Sequence, residues 1–439
     1  MVCTLVPRRM ARALGRTGGV AAIALALELT APWLPTAAAQ MPLPVASSAE
    51  DAAKPAIAND ARLAGDDKQT RLIIDLSRKI DMRAFTLADP YRVVIDIPQV
   101  NFQLPPKAGE HGRGLIKAVR YGLVMQGGSR IVIDVTGPVR VAKAFVLDPI
   151  EGQPARMVVD LVPVDRETFL RAAAIDNRLP RPSEQPRPDR GAGADAAMPS
   201  SDPRPMLVID PGHGGIDNGT RAKSGELEKD LALQFAITLR DKLERSGKYR
   251  VAMTRSDDTF IELAERVRFA RLRQAQLFIS VHCDALARGE GEAEGATVYT
   301  LSEQASDAEA QRLADAENRA DVIAGVNLAA EPNDIADILI DLAQRETKTF
   351  SSQFARQVVS DLRGAAHMHK HPLKSAGFRV LKAPDVPSVL IELGYVSTPG
   401  DLKELVSDGW RSRAGEAILH AVNTFFATRF AGAHDAMKR

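Results

Sequence analysis

The chain has 439 residues, with 57 Lys or Arg against 56 Asp or Glu and a formal net charge of +1. That balance excludes the strongly basic surface of a nucleic-acid binder, and 45% hydrophobic with 26% charged residues is a globular composition, not a disordered, collagenous or coiled-coil one. Two cysteines, Cys3 and Cys283, cannot build a disulfide framework, and at about 100–200 residues per domain the chain has room for two or three domains.

Residues 1–39 read as an export leader. Arg8, Arg9, Arg12 and Arg16 form a basic stretch, Val20 to Leu29 a short apolar one, and Ala37-Ala38-Ala39 a small-residue cleavage site. The apolar run, interrupted by Glu28, is far shorter than the roughly 18–20 residues of a membrane span. The Arg8-Arg9 pair is compatible with the twin-arginine route. An exported chain keeping one thiol, Cys283, suits a bacterial periplasm. Residues 40–69 are rich in Ala, Pro, Asp and Ser and predict a flexible spacer.

Over 70–163, strand-like runs at Arg71–Leu76, Tyr91–Ile97, Ile116–Tyr121, Ser129–Val135, Val139–Leu147 and Arg156–Val162 predict a small all-β sandwich. It contains no nucleophile constellation, metal-ligand spacing or phosphate loop, so it reads as a binding module. Val93-Val94-Ile95-Asp96-Ile97 is echoed at residues 131–135 and 157–161, which suggests three equivalent strands of one pseudo-symmetric sheet. Residues 164–204, with their Arg-Pro pairs, predict a linker.

From 205 to 430 strands alternate with helices. The expected strands are 206–210, 249–254, 277–281, 297–301, 377–381 and 388–393. The expected helices are 229–245, with Leu231, Phe235, Leu239 and Leu243 on one face, 263–274, a long region over 303–363, and 411–427. This pattern predicts an α/β domain, a mixed sheet covered by helices on both faces.

Functional groups of such sheets collect at the carboxyl ends of strands. His213 lies in a glycine-rich turn after the first strand and His282 ends a buried one, so both can reach a single metal ion. Glu228, at the start of the helix over 229–245, is the third candidate of a His-Glu-His zinc site. Glu392 ends the strand Ser388–Ile391, where it can move a proton between water and a leaving amine. Taken singly, each has a plainer reading as a solvated turn histidine or a surface carboxylate, and the gaps between them are too irregular to form a motif. Their joint placement at loops and strand ends is what points to catalysis.

Four segments resemble the bacterial zinc-dependent N-acetylmuramoyl-L-alanine amidases: Ile209–Gly215, Glu228–Asp230, Ile279–Ala285 and Val389–Ser397. The resemblance implies that His213, Glu228 and His282 bind zinc and that Glu392 is the catalytic carboxylate. Residues 70–163 look like the AMIN module of periplasmic amidases, which implies peptidoglycan binding and a role in septal cleavage as daughter cells separate. About 45 residues, roughly 303–345, exceed a minimal α/β unit. They resemble the autoinhibitory helix that LytM-type activator proteins displace in division-associated amidases, with Glu317 or Glu331 as the zinc-occluding carboxylate. Cys283, next to His282 on a strand, should face away from the metal. His367, His369 and His371 form a second cluster, read as a solvated connector before Pro372. A zinc deacetylase of wall sugars and a catalytically inactive wall-binding protein are the competing readings. The former draws an Asp from other motifs, and the latter would lack one of the four residues.

Overall fold

The computed structural model describes residues 54–125, 127–176, 202–285, 294–326 and 338–436. The expected leader and its cleavage site lie outside the described residues.

The β module holds nine strands: β1 Ala56–Gly65, β2 Thr70–Leu76, β3 Arg83–Leu87, β4 Arg92–Pro98, β5 Val100–Phe102, β6 Ile116–Met125, β7 Gly128–Val135, β8 Val139–Leu147 and β9 Ala155–Pro163. They form a five-stranded sheet of order β5-β1-β2-β9-β8 and a four-stranded one of order β3-β4-β7-β6. Alternate residues meet between the sheets, Leu72, Ile74, Met157 and Val159 from one and Val93, Ile95, Ile131 and Ile133 from the other, the period-2 burial of a sandwich.

Three expectations need correction here. The predicted spacer contains β1, which pairs antiparallel with β2. Its inward residues, Ala56 and Ala58, are fully buried, and an alanine-rich strand mimics a linker in composition. The predicted linker opens with helix α1, Arg166–Asp176, anchored by Phe169 edge-on to Tyr91 at 4.9 Å. The three echoing strings are not strands of one sheet: β4 and β7 are neighbours, whereas β9 belongs to the other sheet.

The second domain is built on six strands: β10 Met206–Pro211, β11 Arg250–Met253, β12 Leu277–His282, β13 Ala296–Leu301, β14 Met368–Ala376 and β15 Ser388–Glu392. Their order is β11-β10-β12-β15-β13-β14, parallel except that β13 runs antiparallel to β15. The helices are α2 Glu228–Arg245, α3 Leu263–Leu272, α4 Ala308–Glu317, α5 Ala320–Ile323, α6 Ile338–Leu362, α7 Pro399–Leu405 and α8 Asp408–Ala436. Leu207, Ile209, Ile279 and Ile391 face α2, α6 and α8 through Phe235, Leu239, Phe354, Val358, Ile418 and Val422. The alternate residues Val208, Phe278 and Leu390 face Leu263, Ala270, Leu313 and Phe378. Burial of both faces explains why these strands read as unbroken apolar runs. No helix among the described residues is long and apolar enough to cross a membrane.

The expected strand at 377–381 is instead a short 3₁₀ turn, Arg379–Leu381. The edge strand is β14, which carries His369 and His371 of the histidine cluster. His369 is buried and its Nδ1 accepts from the His371 amide at 3.0 Å. His369 is therefore a buried residue of a sheet edge, whereas His371 on the same strand and His367 just before it are exposed, as the solvated reading expected.

Candidate metal centre

Strands β10, β12 and β15 end side by side, with Ile279 opposite Ile209 and His282 opposite Glu392 in parallel register. Register partners in a parallel pair share a sheet face, so His282 and Glu392 emerge together. His213 follows β10 in a turn where its own backbone is left-handed, φ 58°, a conformation uncommon for a non-glycine residue and frequent at functional sites. Gly212 makes this approach possible: a Cβ there would lie 2.3 Å from Cε1 of His282.

Two buried arginines set the turn. Arg255 donates to the carbonyls of Pro211 at 3.0 Å, Gly212 at 2.7 Å and Lys229 at 2.8 Å, tying the turn to the start of α2. Arg266 donates to Asp210 Oδ1 at 2.8 Å, Pro211 O at 2.8 Å and His213 O at 2.7 Å. Lys229 reaches back to Gly215 O at 2.8 Å. These bonds satisfy carbonyls that a sharp turn leaves without backbone partners.

The turn and the helix start bring together His213, Glu228, His282 and Glu317, all buried, with one ligand atom from each within 4.8 Å of the others. His213 Nε2 lies 3.1 Å from Glu228 Oε1 and 3.5 Å from Glu317 Oε2. His282 Nδ1 lies 3.4 Å and 3.1 Å from the same two atoms. Tetrahedral ligands 2.0–2.2 Å from a small cation are spaced by roughly 3.3–3.6 Å, so the set has the right size to hold a metal ion. His213 Nε2 and His282 Nδ1 are buried with no hydrogen-bond partner among the described residues, which leaves their lone pairs for a cation. The other nitrogen of His213, Nδ1, bonds to Asp217 Oδ2 at 2.9 Å, the carboxylate support that fixes tautomer and ring plane in metal-binding histidines. Glu228 Oε2 accepts from the Thr220 amide and hydroxyl at 2.9 and 2.8 Å, so Oε1 is the oxygen turned to the cluster.

Charge follows geometry. For His213 burial alone favours the neutral ring, but the carboxylates of Glu228, Asp217 and Glu317 outweigh it and hold its pKa well above the usual value. Burial would raise Glu228, yet the two histidines pull it well below the carboxylate range. Glu392 goes the other way. Burial, then the nearby charges of Glu228, Asp284 and Glu317, push it well up. Its Oε2 accepts from the Asp284 amide at 3.1 Å, and its buried Oε1 has no partner among the described residues.

Of the residues singled out from sequence, His213, Glu228 and His282 meet in the cluster and Glu392 stands beside it. Of the two candidate occluding carboxylates, Glu317 is in the cluster and Glu331 lies outside the described residues. Cys283 is buried but absent from the cluster. Its Sγ faces Glu228 O at 3.8 Å. Asp217, Arg255 and Arg266 escaped the sequence reading. Asp217 had a faint signal, an acid four residues after a turn histidine. The arginines had none, because they reach the turn from 44 and 53 residues away.

Histidine and carboxylate donors at the carboxyl ends of α/β strands, with a spare buried carboxylate adjacent, define a metal-dependent hydrolase. Comparison with known proteins narrows that class. Residues 207–424 match the Amidase_3 family, described as N-acetylmuramoyl-L-alanine amidase, and residues 60–161 match the AMIN domain. The chain is 31% identical over 373 residues to N-acetylmuramoyl-L-alanine amidase AmiC of Escherichia coli O6:H1, covering 82% of this chain and 87% of the relative. Against AmiC of Neisseria meningitidis serogroup B it is 32% identical over 406 residues, 88% of this chain and 94% of the relative. Against AmiA of Escherichia coli K12 identity is 36% over 222 residues, 50% of this chain and 76% of the relative. The chain belongs to the N-acetylmuramoyl-L-alanine amidase family and carries an AMIN domain. It is a hydrolase of peptidoglycan.

Proposed function

We propose that the chain is a zinc-dependent amidase that cuts between N-acetylmuramic acid and L-alanine, with His213, Glu228 and His282 as zinc ligands and Glu392 as the proton-transfer residue. The observation that supports this most is the pair of buried imidazole nitrogens that face two carboxylates and have no hydrogen-bond partner among the described residues. Zinc suits a mixed nitrogen and oxygen set of this size, and it supplies Lewis acidity toward a carbonyl and toward water.

The residues divide the remaining work. Asp217 holds the His213 ring, and the Arg255 and Arg266 bonds hold its backbone. Water attacks the lactyl carbonyl carbon, and Oε1 of Glu392 takes its proton. The carbon–nitrogen bond then breaks, and Glu392 returns the proton to the departing L-alanine nitrogen. A carboxylate whose pKa is pushed up by burial suits both halves of that transfer.

Glu317 occupies the fourth corner of the cluster, where substrate would otherwise approach, so the resting chain is autoinhibited. A LytM-type activator that displaces α4 would open the site. The protein acts at the cell wall, where the AMIN domain holds it on peptidoglycan and the cut separates daughter cells. Export through a cleaved leader, residues 1–39, completes this reading.

The test is digestion of purified peptidoglycan by Glu317→Ala and by Glu317→Ala/Glu392→Gln, each checked for bound zinc. The first should release peptides beginning at L-alanine from intact glycan strands. The second should keep its zinc and lose at least about 10²-fold in kcat. Released acetate instead of peptides, or a double variant within a few-fold of the single one, would overturn the assignment.

A further inference from the structure

The occluding carboxylate sits at the end of α4, and the chain from there to Val326 is held on one side by the catalytic domain and on the other by the β module. We infer that the outward face of the four-stranded sheet of the β module is a docking surface for residues 317–326 of the same chain, and that this docking holds Glu317 in the metal cluster. The inference deepens the reading of Glu317 as an occluding ligand and rests on it.

The sheet is apolar on both faces, which a free-standing module would not need. Val93, Ile95, Ile131 and Ile133 fill the sandwich. The alternate residues Val94 and Val132, with Phe85 and Leu87, join a different core that contains Ala320, Ala324 and Val326. Two arginines on that face, Arg92 at 2% and Arg130 at 7% exposure, point into the end of α5. Arg92 Nη1 donates to Val322 O at 2.6 Å. Arg130 Nη1 donates to Ala324 O at 3.1 Å and Gly325 O at 3.3 Å. Carbonyls past the last turn of a helix lack intrahelical donors, and the Val322 carbonyl, which already accepts from the Gly325 amide, keeps a second lone pair, so the buried guanidiniums can bond all three. The arginines are fixed beforehand. Arg130 is gripped by both oxygens of Asp96, at 2.6 and 3.1 Å, and Arg92 Nε bonds Pro90 O at 3.2 Å.

The segment side is built to match. Gly325 ends the helix at φ +70°, and a Cβ there would lie 3.0 Å from the Cγ2 atoms of both Val94 and Val132. Between Glu317 and Gly325 the chain is stiff. The Arg319 amide bonds Ala316 O, and the Ile323 amide bonds Arg319 O, while Asn318 is tied to Gly377 O and to the Arg379 amide. Asp321 accepts from the Leu263 amide at 2.9 Å. Glu317 ends α4 and Val322 lies in α5, with only Asn318 and Arg319 between the two helices, so a shift at the docked end is felt at the carboxylate. A wall-binding module and the gate of the active site are then one mechanical unit.

The test uses the full chain and two independent lesions: Arg92→Ala/Arg130→Ala on the module, and Gly325→Val on the segment. Hydrogen exchange over residues 308–326 should quicken about tenfold or more in both, with strands β2, β9 and β12 as protected as in the wild type. Hydrolysis of peptidoglycan should rise toward that of Glu317→Ala. Wild-type protection of 308–326 in both variants overturns the docking surface. If the module itself loses protection in the arginine variant, Gly325→Val decides alone. A loosened segment with hydrolysis still at the wild-type level, against an active Glu317→Ala, overturns the claim that docking holds Glu317. A loosened segment with an inactive but zinc-loaded Glu317→Ala upholds the docking surface and removes the occlusion reading instead.

Discussion

His213 and Glu228 perturb each other in opposite directions, and the two shifts set a pH window. His213 has a raised pKa in the folded chain, so its contribution to stability is full below roughly pH 6.5, the unfolded value, and is lost as pH rises through the folded one. Glu228 has a lowered pKa, so its contribution is full above roughly pH 4.3 and is lost as pH falls through the folded value. The metal-free chain should therefore gain most from the pair between those limits and lose Tm on the alkaline side. Zinc needs the neutral imidazole and competes with its proton, so added zinc should raise Tm far more at pH 8 than at pH 5. Equal zinc stabilisation at both values would show that these donors do not take the ion. That His213, Glu228, His282 and Glu392 come together was legible from strand ends and the four resembling segments. How they are tuned was not. Asp217, Asp284 and Glu317 enter the field of the site only once the chain has folded them against it, and Glu317 reaches the cluster because α4 ends there.

The elements around the site differ in how much they depend on distant partners. The strands β10, β12 and β15 were readable because burial on both faces makes them continuous apolar runs. β1 was not, because its inward side chains are alanines, and β14 was displaced by a histidine-rich stretch that resembles a loop. The turn after β10 is a stronger case: its shape comes from Arg266, with a side chain 2% exposed against 1% for Asp210 at 2.8 Å. Removing one partner of a buried, multiply bonded pair leaves the other charge uncompensated and costs about 3–5 kcal/mol. Arg266→Met should lose stability on that scale in urea unfolding and weaken zinc retention as the His213 carbonyl loses its donor. The half-exposed pair Arg271–Asp385, at 2.9 Å and with side chains 49% and 51% exposed, should yield about 0–1 kcal/mol when Arg271 is changed to Ala. Similar losses in the two variants would mean that the turn is held by its own backbone and not by Arg266.

Across the whole molecule, a linker-separated reading predicts two domains that melt independently, and the observed packing predicts the opposite. Phe85, Leu87, Val94 and Val132 of the module share one core with Ile216, Phe260, Ala320, Ala324 and Val326 of the catalytic domain. The Ile216 amide, three residues beyond His213, donates to Leu123 O of β6 at 3.3 Å. Domains joined only by a polar contact move and unfold separately, whereas a shared apolar core couples them. Calorimetry of the full chain should then show one transition, with calorimetric and van 't Hoff enthalpies in agreement. The donors of the proposed zinc site, His213, Glu228, His282 and Glu317, all belong to the catalytic domain, yet saturating zinc should raise the temperature at which the strands of the module melt, because ligand binding stabilises every part of a cooperative unit. The module's melting can be followed separately by hydrogen exchange of β2 and β9 on heating. A module that melts at a zinc-independent temperature would show that the two halves only touch, and the sheet face would then have no means of passing a pull from the wall to Glu317.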